Sequence, residues 1–490
     1  MRGYSSCPTK TGASILWSLC SLIPLSISLQ LSSGFATCSG SSKEPTSSST
    51  SARVQSLKAW ALGERFGRSQ GTMDENTMKH SFRSSGHPEV PDHLRLKQVI
   101  VICRHGDRAP VSRNLGTLLN DGPESTSLWM SKLPARADIQ SWNEAFPPRV
   151  LGDGCGRTGQ QIWGLEDGPW GQLTTRGVEE LRLVGAGLRP VICGPGEKKL
   201  FPDGIDAEKS SIFVRCTHIR RTHQSAQNML KGLGLDRGVD LFVRPPERET
   251  LFPNSRTSGD KQAELIARIN EENHWPGQEQ LARSTAEMVG IETANLKWTT
   301  AREVLTCYEA HGVPLGDITE EMIQNVVDFT GWMWGRWFNY REMARLSLGP
   351  FLAEILGVMG LRGDEEGVPE AGIARRPKLA IFSGHDATLV PTLCALGLYL
   401  DDWPCYSSYI TFEVAETEDG ESVFRVVYNA REMTLPGATS VWLPLSELQQ
   451  RLDDVMPHEE DSLPQTRVAG SSRAGSSEIS SAVGGSSKNT

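Results

Sequence analysis

The stretch VIVICRHGDRAP, residues 99–110, decides the reading of this chain. Val99 to Cys103 form a β-branched run of the kind that builds a strand buried on both faces, as in a parallel sheet covered by helices. Directly behind it the chain turns to Arg104, His105, Gly106, Asp107, Arg108, Ala109 and Pro110. In open α/β sheets the ligand crevice lies outside the carboxyl ends of the strands, so these polar residues fall where chemistry is expected. Gly106 permits a close backbone approach, and Pro110 fixes the exit of the loop. Two fixed cations beside a histidine favour its neutral, nucleophilic form at mildly acidic pH. The planar forks of Arg104 and Arg108 match phosphate oxygens and offset the charge that would otherwise repel a nucleophile. Attack of His105 on phosphorus, with a phosphohistidine intermediate, is the chemistry such a trio fits.

The same strand, polar turn and helix recur twice. In SIFVRCTHIRRTHQSAQNML (211–230) Ile212 to Val214 are apolar, Thr217 is placed to cap a helix, and Ile219, Ala226, Met229 and Leu230 fall at helical spacing. In KLAIFSGHDATLVPTLCALGL (378–398) Leu379 to Phe382 form a strand and Gly384 frees the turn. A helix from Ala387 would hold Pro391 in its first turn and end at Gly397. Three separated strand ends would converge on one crevice in a doubly wound sheet.

The pattern RHGxRxP, with five specified positions, arises by chance in a chain of 490 residues on the order of once in ten thousand. It resembles the signature of the histidine acid phosphatases, branch 2 of the histidine phosphatase superfamily. That resemblance implies an α/β, phosphoglycerate-mutase-like fold: a mainly parallel sheet flanked by helices, with an inserted, mostly α-helical cap. It makes His105 the nucleophile and assigns phosphate binding to Arg104, Arg108, Arg221 and His385. Asp386 becomes the acid that protonates the leaving oxygen. A helix N-terminus lowers a carboxyl pKa whereas an adjacent bound phosphate raises it, so Asp386 is expected to donate with substrate present and at acidic pH. The adjacent GHD favours a phosphatase over a mutase. His218 stands where the family often has an acidic or amide residue. Arg215 and Arg220 read as packing or solvated charges.

WGQLTTRGVEELRLVGAGLR (170–189) resembles the family's GQLT-x-x-G turn and helix, with Val178, Leu181, Val184 and Leu188 on one face. SSYITFEVAETEDGESVFRVVY (407–428) reads as a hairpin, an antiparallel edge on the sheet. LFPNSR, LGPFLAEIL and VVYNAREMTLPG, in order with the motifs above, look most similar to the lysophosphatidic acid phosphatase group within the family. That similarity implies a phosphate monoester substrate, with lysophosphatidate as one candidate. A broad acid phosphatase or phytase acting on soluble esters is the alternative, and a phosphate-binding module without turnover is the non-enzymatic one. Trp332, Trp334, Trp337 and Phe338 either line an acyl channel or pack a helical cap, the second being the more ordinary use of such a stripe.

Composition sets the frame. With 38% hydrophobic and 22% charged residues the chain is that of a globular protein, and a net charge of -9 offers no general basic field for nucleic acid. Ten cysteines without CxxC pairs suggest no zinc site, and neither metal nor cofactor is implied. Cys103, Cys216 and Cys394 read as buried thiols, while pairing among Cys155, Cys193, Cys307 and Cys405 stays open. Residues 1–36 read as a signal peptide, placing the protein in the secretory pathway or outside the cell with no transmembrane domain after cleavage. A mitochondrial presequence is the alternative, and the absence of an Asn-x-Ser/Thr sequon counts mildly against secretion. Residues 37–91 read as a low-order linker, 92–458 as the phosphatase domain with the cap at about 245–370, and 459–490 as a disordered Gly/Ser tail. The oligomeric state leaves no trace in the sequence.

Overall fold

Strand β1 runs Leu94–Arg104, five residues longer at its start than the apolar run alone implies. The cause is its neighbours: residues 94–98 pair with one antiparallel strand only, whereas 99–104 also pair with a parallel strand on the other side. Accordingly Leu94 and Leu96 are buried between exposed Arg95 and Lys97, and burial is continuous from Gln98 onward. A computed structural model describes residues 86–151, 168–253, 255–362, 376–399, 401–458 and 461. The leader, nearly all of the linker, Cys155 and all of the tail but Asp461 lie outside those residues.

The other strands are β2 (Pro148–Val150), β3 (Ile212–Cys216), β4 (Leu241–Val243), β5 (Leu379–Gly384), β6 (Tyr409–Thr417), β7 (Ser422–Tyr428), β8 (Arg431–Met433) and β9 (Leu443–Pro444). Among the described residues they form one sheet in the order β2-β4-β3-β5-β1-β6-β7-β8, with β9 on β7. Pairing is parallel from β2 to β1 and antiparallel from β1 onward, as the hairpin sequence implies.

Helices α1 (Pro123–Met130), α2 (Arg136–Ala145), α3 (Thr175–Ile192) and α4 (Arg220–Gly232) precede β4. Five more, α5 (Ser255–Glu272), α6 (Gln278–Val289), α7 (Trp298–Ala310), α8 (Glu320–Phe338) and α9 (Arg341–Met359), fall between β4 and β5. Then come α10 (Asp386–Ala395) and α11 (Leu445–Leu452). Among the described residues no helix is long and apolar enough to cross a membrane.

The period of two along β1 divides the core. Val99, Val101 and Cys103 face α3 and α4, where they meet Leu181, Val184, Leu188, Met229 and Leu230. Ile100 and Ile102 face the opposite core, shared with Phe351, Leu352 and Ile355 of α9 and Leu389, Val390 and Leu393 of α10. Trp334, Trp337 and Phe338 are buried in that same core, and Trp337 Nε1 donates to Asn270 Oδ1 at 2.8 Å. These three rings therefore serve packing; Trp332, half-buried, stacks edge-on to Trp275.

Two local expectations differ from the structure. Thr217 does not cap α4: the residue before that helix is Ile219, and the Thr217 hydroxyl is turned instead to Thr222 and His385. Helix α10 begins at Asp386 rather than Ala387, which makes Pro391 its sixth residue, past the first turn and within the helix. The missing proline N–H there is tolerated in a helix packed on its neighbours. Cys103, Cys216 and Cys394 are buried free thiols, and Cys193, Cys307 and Cys405 are unbridged as well.

Arg215, fully buried at the end of β3, donates to Glu249 and Glu354 at 2.6 Å each, and Arg244 reaches Glu354 at 3.1 Å. Burial is the main force raising the Glu249 carboxyl, with Arg215 opposing it. Removing one member of such a buried pair strands the other charge, so Arg215→Met is expected to lower unfolding free energy by about 3–5 kcal/mol. The midpoint of urea unfolding reads this directly.

Candidate functional site

The three strand ends carrying the motifs are neighbours in register. Arg104 lies beside Gly384 across β1 and β5, and Ser383 pairs with both Cys103 and Cys216. The His105 N–H continues the ladder to the Gly384 carbonyl at 3.0 Å. Six residues singled out from the sequence, Arg104, His105, Arg108, Arg221, His385 and Asp386, are thereby gathered at one end of the sheet.

The loop after β1 is held by backbone as well as side chains. Gly106 crosses Gly177 of α3 so closely that a Cβ on Gly106 would stand 2.3 Å from the Gly177 carbonyl oxygen. A Cβ on Gly177 would stand 2.2 Å from the Asp107 oxygen, which explains the last glycine of the GQLT-x-x-G turn. Gly106 N–H donates to Ser225 Oγ at 3.1 Å, and Asp107 N–H to Glu180 Oε2 at 2.9 Å. The Asp107 carboxylate, buried, accepts from the Thr174 hydroxyl and lies 2.6 Å from His311 Nε2.

His105 is 2% exposed, and its Nδ1 lies 2.8 Å from the Gly106 carbonyl oxygen. A carbonyl only accepts, so Nδ1 carries the proton and Nε2 keeps a lone pair. Burial is the main force holding the His105 pKa well below its ordinary value; Arg221, His385, Arg104 and Arg108 add to it in that order. The two flanking arginines are thus the lesser part of the effect that the sequence suggests.

His385 stands edge-on to His105 with ring centroids 5.3 Å apart. Arg221 Nη2 reaches its Nδ1 at 3.4 Å, and its Nε2 lies 3.1 Å from Thr217 Oγ1. Since the guanidinium only donates, Nδ1 is the bare nitrogen and Nε2 donates to Thr217. Burial and then Arg221 hold this ring neutral too. Phe252 packs edge-on against His385, and His218 lies against Phe252 with ring centroids 5.9 Å apart.

Asp386 opens α10, and its Oδ2 lies 3.0 Å from Arg104 Nη2. Burial alone would raise this carboxyl, but Arg104 and Arg302 outweigh it and hold it well below the usual carboxylate range. Arg104 also donates to the Pro404 carbonyl at 2.6 Å and lies 4.2 Å from the centre of the Tyr406 ring. Arg108 is paired with Glu303 at 2.7 Å, and the Glu303 carboxylate further accepts from the Val111 and Ser112 N–H groups. The Nε atoms of Arg104 and Arg108 are buried and make no hydrogen bond within the protein, donors available to an oxyanion.

Sequence reasoning missed Arg302, Glu303 and Tyr406. The first two lie in the run TTAREVL of α7, where residues 300–305 are all buried. Two adjacent charges cannot share a solvent face if their apolar neighbours are all interior, and that adjacency was the available signal. Tyr406, whose ring centre is 5.9 Å from that of His105, comes from a loop with no periodic pattern. Among the described residues no group of three or more His, Cys, Asp or Glu side chains is arranged to hold a metal ion.

Two outcomes follow. Gly177→Ala drives the loop of His105 away from its place, and with reacting groups misplaced by about 1 Å turnover is expected to fall about a hundredfold, read as kcat. His105 and His385 are held neutral below the ordinary histidine range, and burial lowers His223 to about 4. Their folded pKa values lie below the unfolded one, so the unfolded chain takes up protons first. Their contribution to stability is complete above about pH 6.5 and is lost as pH falls towards the folded values. Tm measured from pH 7.5 to 4.5 should decline, and His223→Gln should flatten the decline.

Comparisons with known proteins point to phosphatases. The model of the histidine phosphatase superfamily (branch 2) matches residues 95–283. Counting factor 60 of Dictyostelium discoideum is 25% identical over 382 residues, covering 72% of this chain and 84% of that protein. Human lysophosphatidic acid phosphatase type 6 is 22% identical over 389 residues, covering 72% and 81%. Bovine lysosomal acid phosphatase is 26% identical over 403 residues, covering 76% and 81%. Among solved structures, Hafnia alvei phytase in complex with myo-inositol hexakis sulphate superposes with a TM-score of 0.53 at 14% identity, covering 76% of this chain and all of that one, which shows the common fold. With the RHGDRAP loop, the second strand motif and the GHD turn meeting at one end of the sheet, the chain is similar over residues 95–283 to branch 2 of the histidine phosphatase superfamily, the histidine acid phosphatases.

Proposed function

We propose that the protein hydrolyses phosphate monoesters through a phosphohistidine on His105. The observation that carries this reading is the committed tautomer of His105: Nδ1 is tied to the Gly106 carbonyl, and the bare Nε2 stands among arginines and beside His385. Nε2 bonds to phosphorus while the bond from phosphorus to the leaving oxygen breaks. Arg104, Arg108 and Arg221 hold the phosphoryl oxygens, so charge is stabilised by groups already in position, and His385 joins them once its Nε2–H turns from Thr217 to the phosphate. Asp386 passes its proton to the departing oxygen, and water then hydrolyses the phosphohistidine. Arg104, with Arg302 beside it, favours the ionised form of Asp386. A phosphate drawing on Arg104 weakens that hold and lets the carboxyl take up the proton it must deliver.

For the substrate, lysophosphatidate is the reading that the lysophosphatidic acid phosphatases among the relatives support. A broad acid phosphatase is the second reading, favoured by the lysosomal acid phosphatase. The apolar, acid-free leader at residues 1–36 and the name of that relative support a place in the secretory pathway.

His105→Ala should abolish turnover, and labelled phosphate caught by an acid-avoiding quench should sit on wild-type His105. Asp386→Asn should slow glycerol phosphate on the order of a hundredfold or more and 4-nitrophenyl phosphate far less, since nitrophenolate leaves without a proton. Relative kcat/KM on lysophosphatidate, inositol hexakisphosphate and 4-nitrophenyl phosphate ranks the substrate classes.

A further inference from the structure

The acid side of the site holds a cation that the phosphate-binding set does not include. Arg302 comes from α7, an element of the helical insertion, and its Nη2 lies 3.5 Å from Asp386 Oδ2, the same oxygen that Arg104 contacts at 3.0 Å. Its side chain is 6% exposed, and the guanidinium carbon sits 3.7 Å from the centre of the Trp403 ring. Trp403 is in turn braced by Trp334, with ring centroids 4.7 Å apart. The next residue, Glu303, locks α7 to the loop of Arg108 through the pair at 2.7 Å and two backbone N–H groups. Arg302 is therefore delivered to Asp386 on a fixed helix and held flat by an aromatic face, a favourable desolvated geometry for a guanidinium.

We propose that Arg302 is a positioning residue for Asp386: it retains the carboxyl on the leaving-group side when a bound phosphate draws Arg104 away, and it sets the upper pH at which that carboxyl delivers its proton. This inference rests on the phosphomonoesterase reading above and adds to it. Every charged group facing Asp386 bears on the argument. Arg104 reaches it from the end of β1 and Arg302 from α7, His385 is its own neighbour, and Arg108 faces it from the loop after β1. The Ala387 N–H donates to its other oxygen, Oδ1, at 2.9 Å. Arg104 and Arg108 are committed to phosphate during turnover, and His385 is held neutral. Arg302 is then the cation left to Asp386 alone. The ion pair favours the ionised carboxyl, so the acid works at lower pH with Arg302 present than without it.

The test is kcat against pH on glycerol 3-phosphate and 4-nitrophenyl phosphate for the full chain and for Arg302→Met, Arg302→Gln and Arg302→Lys. The alkaline limb on glycerol 3-phosphate reports the acid in the enzyme-substrate complex. It should move up by about one pH unit in the Met and Gln variants and stay near the wild-type position in Lys. On 4-nitrophenyl phosphate, whose leaving group needs no proton, the limb should stay in place. If Arg302→Met fails to fold, Arg302→Gln, which keeps most of the side chain's bulk, gives the same reading. A limb unmoved in the neutral variants, with kcat or Tm lowered alike on both substrates, makes Arg302 a packing residue and overturns the proposal. A wild-type chain inactive on both esters overturns the phosphomonoesterase reading itself, a different failure.

Discussion

The parallel ladder that sets β1 beside β5 and β5 beside β3 is the constraint on which the site depends. It pairs Arg104 with Gly384 and Cys216 with Ser383, so three chain reversals leave the sheet at the same level. Side chains alternate across a sheet, and both faces here are buried in separate cores. A slip of one residue would exchange the two faces of a strand and move its terminal motif out of line. Packing thus fixes the register, and the register fixes where the catalytic candidates stand.

Within that frame the site is a balance between burial and charge. A chain with an overall excess of acid gathers Arg104, Arg108, Arg221 and Arg302 at one sheet end, and each is met by a specific partner. Glu303 and Asp386 supply compensating charge, Tyr406 and Trp403 supply aromatic faces, and the two imidazoles stay neutral because burial and the guanidinium groups both penalise a further cation. Neutral imidazoles beside fixed cations are what the proposed attack by His105 requires.

Much of the site was legible because its chemistry sits on continuous segments. RHGDRAP and GHD follow apolar runs, and the turn glycines mark where the backbone must approach closely, as Gly106 and Gly177 do. The local misreadings have local causes. Thr217 has the composition of a cap, but its hydroxyl is engaged by His385, 168 positions away, and Pro391 is tolerated inside α10 by a packed environment that propensity ignores. Arg215, read from sequence as a packing or solvated charge, is the first of these, and its two glutamate partners come from segments with no pattern linking them to it.

By itself the sequence determined that strands end in a histidine between arginines and in a His-Asp turn, because the alternation of apolar run, glycine turn and helix is written in neighbouring residues. The order β3-β5-β1 of those strands, the crossing of Gly106 over Gly177 and the arrival of Arg302 and Glu303 from helix α7 were decided by tertiary structure alone. The physical reason is separation along the chain: Arg108 and Glu303 are 195 positions apart, and no periodicity connects residues that meet only when two cores close around the same sheet.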